Sequence, residues 1–194
     1  MRREWLDALR PAVCLTAAFT ILTGLLYPLA IWVASHDVFP YEAEGSLVRR
    51  GDAVVGSSLL GQSFTEPRYL WGRLSAIGND PKISGGSNLG PLNPRLLEAA
   101  SVRITALRAA DPSATGPVPV DLVTASGSGL DPDISPAAAR YQVARIARAR
   151  GVSAEAVRAL VDRHVQRPTL LVLGEPRVNV LAVNLDLDRA FPVR

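Results

Sequence analysis

The residues able to do chemistry in this 194-residue chain are few and scattered. Nucleophilic hydrolysis needs a nucleophile with a usable base in reach, and the only two histidines are His36 and His164. His36 abuts a long apolar run, and His164 falls on the apolar stripe of a helical segment, so neither sits where a nucleophile–base–acid arrangement is built. A single cysteine, Cys14, excludes an intrachain disulfide and any CxxC metal or redox site. Asp131 and Asp133 resemble the opening of a calcium loop, but neither the required glycine nor the closing glutamate follows. No catalytic residue and no metal site is expected.

Two glycine-rich stretches remain. Ser84-Gly85-Gly86-Ser87-Asn88-Leu89-Gly90 offers backbone donors that can cradle an anion, yet lacks the Gly-Lys-Ser/Thr ending of a phosphate loop. Gly127-Ser128-Gly129 is too short for a dinucleotide fingerprint. The plain reading of both is conformational, glycine supplying turns between elements. The functional reading is contact with a partner or pore, through Ser84, Gly85, Gly86, Ser87, Asn88 and Asn93 from the first loop and Thr124, Ser126, Gly127, Ser128 and Asp131 from the second.

What must position these loops starts with the N-terminal region. No charged side chain occurs from Pro11 to Ser35. As a helix, such a run spans about 37 Å, against a hydrocarbon core of about 30 Å. Pro28 removes one backbone donor and is expected to kink the outer third; Tyr27 and Trp32 lie toward the far end, as an interfacial belt requires. A cleaved signal peptide and a buried core helix compete with the anchor reading. The run is long for the first, its Val33-Ala34-Ser35 exit is poor, and it lacks the polar face of the second. Thr20, Thr23 and Gly24 make a small face on which another helix can pack closely.

Orientation follows from the flanks. Arg2, Arg3 and Arg10 precede the run, whereas His36, Asp37, Glu42 and Glu44 follow it, and basic flanks stay in the cytoplasm. The expected division is 1–10 cytoplasmic, 11–35 transmembrane and 36–194 a single extracytoplasmic domain. The composition agrees with one span: 48% hydrophobic and 20% charged residues are too apolar for disorder and too polar for many spans. Net charge is only +3, with no dense arginine run, so no nucleic-acid partner is expected. The domain is near neutral, and its surface as a whole is not built for anionic lipid.

Within the domain, residues 46–56 read as a hairpin about the Gly51-Asp52 turn, and residues 77–93 as a long irregular loop. Asn93 caps a helix started by Pro94 and running to about Ala110, with Leu97, Ala100, Ile104 and Leu107 on its core stripe. Val118 to Thr124 looks like a buried strand. Ser135 and Pro136 start a helix that Gly151 ends, with Ala139, Val143, Ile146 and Ala147 facing the core. Ser153 caps a shorter helix bearing Val157, Leu160, Val161 and His164, and the tail from 178 to 187 fits either strand or helix. The fold class is α+β, one N-terminal membrane helix followed by one α+β domain.

Five blocks, in this order, resemble a known family: GSSLLGQSF (56–64), YLWGRLSA (69–76), SGGSNLGPLNP (84–94), VDLVTASGSGLDPDISPAAARYQVARIARARG (120–151) and LGEPRVNVLAVNLDLD (173–188). The chain is similar along its whole length to KdpC, the C subunit of the bacterial Kdp high-affinity potassium-transporting P-type ATPase. The resemblance implies a bacterial inner-membrane complex in which a channel-like subunit selects potassium, the transported ion. A P-type ATPase subunit is phosphorylated by ATP, a small membrane peptide accompanies them, and this type of subunit is needed for assembly and activity. The family is also described as a catalytic chaperone that raises the ATP affinity of the ATPase subunit, with a nucleotide contact around Gln142. No firmly bound cofactor is implied. The residues agree with that division of labour, since neither a DKTGT phosphorylation motif nor a TVGYG-type filter occurs. With the domain outside the membrane, Gln142 is expected to be remote from cytoplasmic ATP, so any effect on nucleotide would travel through subunit packing. The competing reading is a tethered domain that binds a small solute independently of a pump. A potassium or turgor sensor would need a cytoplasmic output module, and ten residues do not make one.

Overall fold

A computed structural model of the chain describes residues 2–193; Met1, the side chains of residues 2–6, which include Arg2 and Arg3 of the basic flank, and Arg194 lie outside what is described. The chain forms two compact units, residues 1–47 and 48–194.

The first unit is dominated by a long helix: α1 (Arg2–Ile21), a π-helical turn (Leu22–Leu26) and α2 (Tyr27–Val38) follow one another without a break. Its apolar part, Asp7–Val38, is 32 residues long with none of it buried in the protein, which suits it by length and composition to cross a bilayer. Just before Pro28, where a kink is expected, the helix carries the π turn. Pro28 lacks an N–H and its ring crowds the carbonyl four residues back, so the preceding turn widens and the Tyr27 N–H reaches the carbonyl of Leu22, five residues away. The helix stops at Phe39, and a short turn of helix, α3 (Pro40–Ala43), follows.

The second unit is α+β. Strands β1 (Leu47–Arg50) and β2 (Ala53–Ser57) make the expected hairpin, and α4 (Pro94–Ala110) starts on the expected cap, with the Asn93 side chain accepting from the Arg95 N–H. A three-stranded antiparallel sheet is built from strands of two or three residues: β3 (Asp133–Ile134), β4 (Val165–Gln166) and β5 (Arg177–Asn179), with β5 central. Val178 pairs with both Ile134 and Val165. Helices α5 (Pro136–Tyr141) and α8 (Val180–Ala190) pack on β5, and α6 (Val143–Arg150) and α7 (Ala154–Arg163) pack with them. Ser135 and Ser153 cap their helices by accepting from Ala138 and Ala156 N–H, and Gly151 closes α6. The core joins Ala139, Val143, Ile146, Val157, Leu160 and Val161 to Leu70, Leu122, Val178, Val183 and Leu187.

Four expectations need revision or completion. Val118–Thr124 is not a strand: Val120–Leu122 is a 3-10 turn, because Pro117 and Pro119 offer no backbone donors. Asp121 turns away to accept from the Ser135 N–H and hydroxyl. The helix from Pro136 is two helices, divided at Gln142. The core stripe proposed for α4 is largely outside the core: Leu107 is buried, while Leu97 lies in the open. The tail is strand and then helix. Asn179 is the pivot, ending β5 and capping α8 through the Ala182 N–H, after which Val180, Val183, Asn184 and Leu187 turn inward at helical spacing.

Candidate functional site

The segment Tyr69–Ser75 threads the domain without regular structure, and almost every residue in it is tied to a distant part of the chain. The Leu70 N–H donates to Asn184 Oδ1 at 2.7 Å, and the Leu70 carbonyl accepts from Asn184 Nδ2 at 3.0 Å. Trp71 is held the same way: its N–H donates to Gln142 Oε1 at 2.9 Å and its carbonyl accepts from Gln142 Nε2 at 3.0 Å. Two side-chain amides thus stand in for a neighbouring strand, satisfying both backbone groups of consecutive buried residues. Gln142 Nε2 also donates to the Ala138 carbonyl and Oε1 accepts from Arg145 Nη2, so the amide is fully engaged inside the protein.

Trp71 is flanked by two guanidinium groups, Arg145 at 4.2 Å and Arg103 at 5.2 Å from its ring centre. Burial pushes the Arg145 side chain down to about 10; Asp111 opposes that shift and Arg103 adds to it. Arg145 also donates to the Pro67 carbonyl, and Arg103 to the carbonyls of Gly72 and Leu122.

Beyond Trp71 the segment joins the two glycine-rich loops. Arg73 pairs with Asp131 at 3.0 Å and donates to the Ala125 carbonyl; Leu74 bridges Ala125, and the Ser75 hydroxyl donates to the Gly129 carbonyl at 2.7 Å. The loops then bond each other: the Gly85 N–H donates to the Ser128 carbonyl at 2.8 Å, and the Ser84 hydroxyl donates to the same carbonyl at 3.3 Å. Ser126 and Ser128 hydroxyls accept from the Gly129 and Leu130 N–H groups. Glycine is required here by proximity. A Cβ on Gly86 would sit 2.8 Å from the Gly127 carbonyl oxygen, and one on Gly129, whose φ is +70°, would sit 2.6 Å from that of Gly85. Gly86→Ala and Gly129→Ala should each lower domain stability by about 1–3 kcal/mol through overpacking, with added strain at Gly129, as read from the urea midpoint.

The structure therefore brings Ser84, Gly85 and Gly86 against Ser126, Gly127 and Ser128, with Asp131 at the base of the same cluster. Ser87 and Asn88 extend from it into solvent. Asn93 is occupied as the α4 cap, and the Thr124 hydroxyl donates to the Val120 carbonyl. Of the membrane-face residues, the Thr23 hydroxyl donates to the Phe19 carbonyl of its own helix, and among the described residues nothing but the adjoining helix backbone lies within 4 Å of a Cβ on Gly24.

Sequence reasoning missed a second network. Arg150, with its side chain wholly buried, donates to the carbonyls of Arg68, Leu187 and Phe191 and pairs with Asp188 at 2.9 Å. Asp188 also accepts from Arg50 and Tyr69. Burial pushes the Asp188 carboxyl up, but bonds from Arg150 and Arg50 outweigh it and hold the group below the usual carboxylate range. Arg50, Tyr69 and Asp188 edge a cleft of about 370 Å³, which Gln62, Phe64, Leu181 and Leu185 also line. The signal was present in α6: Gln142, Arg145 and Arg150 share the face that carries Ile146, and polar groups on an apolar stripe mark a buried network. Among the described residues no group of three or more histidine, cysteine or acidic side chains is placed to hold a metal.

One helix long and apolar enough to cross a membrane, followed by an α+β domain braced internally by amides and arginines, defines the class of chain. The family described as "KdpC: K+-transporting ATPase, c chain" matches residues 9–189, and the chain belongs to that family. It is 58% identical to the potassium-transporting ATPase KdpC subunit of Variovorax paradoxus over 97% of this chain and 99% of that protein. The subunits of that name from Polaromonas naphthalenivorans, 58% identical over 96% and 97%, and Herpetosiphon aurantiacus, 56% over 93% and 95%, are similarly alike.

Proposed function

We propose that the chain is an accessory, non-catalytic subunit of an ATP-driven potassium uptake complex of the bacterial inner membrane, needed for its assembly and activity. The observation that carries this reading is the cross-bonded pair of glycine-rich loops, a rigid polar surface held from below by Arg73 and Ser75. Preorganised backbone of this kind suits docking, because little conformational freedom is lost on contact. The N-terminus is cytoplasmic and the domain periplasmic, as the basic flank directs. The anchor packs through Thr20, Thr23 and Gly24 on a channel-like potassium-binding subunit, with a P-type ATPase subunit and a small membrane peptide completing the complex. The loops face the mouth of the channel-like subunit.

A nucleotide contact at Gln142 finds little support in an amide whose oxygen and nitrogen are engaged with Trp71, Ala138 and Arg145. An effect on ATP affinity is better carried by stabilising one conformation of the complex. Mild detergent extraction followed by a chain inventory tests the reading. The chain should fractionate with an ATPase and a channel-like protein, and potassium-stimulated ATP hydrolysis should fall when it is omitted. Extraction of the chain alone, with hydrolysis unchanged, would overturn it.

A further inference from the structure

Beyond β4 and β5 the chain continues as a narrow hairpin whose tip has no counterpart in the docking surface described above. Thr169 and Leu173 exchange two backbone hydrogen bonds of 2.9 Å, enclosing a tight turn at Leu170 and Leu171. Both leucines have left-handed backbone, φ 53° and 67°, in a kind of turn that asparagine and glycine normally occupy. Bulky residues in that region are strained, and strain held by a hairpin is commonly found where a side chain must be presented. What is presented is a run of four aliphatic side chains: Leu170, Leu171, Val172 and Leu173 are 79%, 74%, 78% and 59% exposed. Arg163 and Arg167 stand exposed at the base of the arm, with Glu175 on the return.

We propose that this tip inserts into the lipid bilayer to which the chain is anchored, as a second, reversible membrane contact of the domain. Three observations favour lipid over a protein partner. The side chains of the tip are purely aliphatic, with no aromatic or polar side chain from Leu170 to Leu173 to fix a partner's orientation, whereas protein contacts concentrate their energy in Trp, Tyr and Arg. The arginines lie behind the aliphatic run, where their stems can follow it inward and their heads remain at the phosphate level. And the same chain carries a helix, Asp7–Val38, long and apolar enough to cross a bilayer, so on the reading proposed above the domain is tethered to a lipid surface. The near-neutral domain adds no broad electrostatic attraction, so the insertion is driven by apolar burial.

The test uses the full chain, reconstituted alone in phosphatidylcholine–phosphatidylglycerol vesicles. Cys14→Ala removes the native thiol, and Val172→Cys carries an environment-sensitive fluorophore. Emission from residue 172 should shift to the blue, lose most of its intensity when the acyl chains are brominated, and resist aqueous iodide. The same label at Leu92→Cys, another exposed aliphatic position of the domain, should remain open to iodide and insensitive to bromine. Leu170→Glu with Leu171→Glu should return the label at 172 to water. A label at 172 that behaves like the one at 92 would overturn the proposal. So would one that becomes protected only when the other chains of the transport complex are added, without bromine quenching, because the tip would then be a protein contact. A fluorophore on native Cys14 reports insertion of the anchor separately; if it escapes quenching, the anchor fails and the tip proposal falls with it.

Discussion

Gln142→Leu should cost the domain about 4 kcal/mol, a large share of the 5–15 kcal/mol that separates a folded domain from its unfolded chain. Leucine nearly preserves the volume, so the effect isolates the hydrogen bonds. It strands the N–H and the carbonyl of Trp71 and one nitrogen of Arg145, each buried, at about 1–3 kcal/mol apiece. Urea denaturation of the full-length chain in detergent, followed by near-ultraviolet circular dichroism, reads the loss; a change below about 1 kcal/mol would show that the amide does not brace the segment. The same position separates bracing from ligand binding. In an assembled complex that still retains the subunit, Gln142→Ala should leave the ATP affinity of the ATPase unchanged. A large fall there would place nucleotide against residue 142.

Arg150→Met should be comparably severe, at about 3–5 kcal/mol, the range found when one partner of a buried ion pair is removed. Three carbonyls lose their donor at once, two of them, from Leu187 and Phe191, at the C-terminal end of α8, where the helix dipole also favours a cation. Lysine would carry the charge but not the fork, so Arg150→Lys should recover only part of the loss. The pair also gives stability a pH dependence. Because the folded Asp188 carboxyl is held below its ordinary value, its contribution is complete above about pH 4 and is lost as pH falls through the folded value. In Arg150→Met that acid limb should shrink, leaving the Arg50 and Tyr69 contributions. An unchanged acid limb would show that Arg150 is not what holds Asp188 ionised.

Much of the domain was legible in local chemistry. Asn93-Pro94, Ser135-Pro136 and Ser153 each cap a helix because a side-chain oxygen two or three residues ahead of an orphaned N–H is a short-range device. The hairpin around Gly51-Asp52 is equally local. What failed depended on distant partners. Val118–Thr124 has the composition of a strand, but no neighbouring strand is there to pair with, and Asp121 is drawn to Ser135. Helices α5 and α6 are divided at Gln142, whose amide is recruited by Trp71, 71 residues earlier. Leu97 was assigned to the core on spacing alone, although α4 buries little beyond Leu107. For the site, the glycine loops were visible as composition, but their mutual contact came only with the fold. The two amides and Arg150 were hidden because a polar residue on an apolar stripe does not say which backbone it serves.

The grip on Leu70 and Trp71 has a consequence for how the domain comes into being. Leu70 waits for Asn184, 114 positions downstream, and Arg150 waits for the carbonyl of Phe191. A nascent chain therefore cannot lock its middle until residues 184 and 191 have been made, and contacts so remote in sequence make for slow closure.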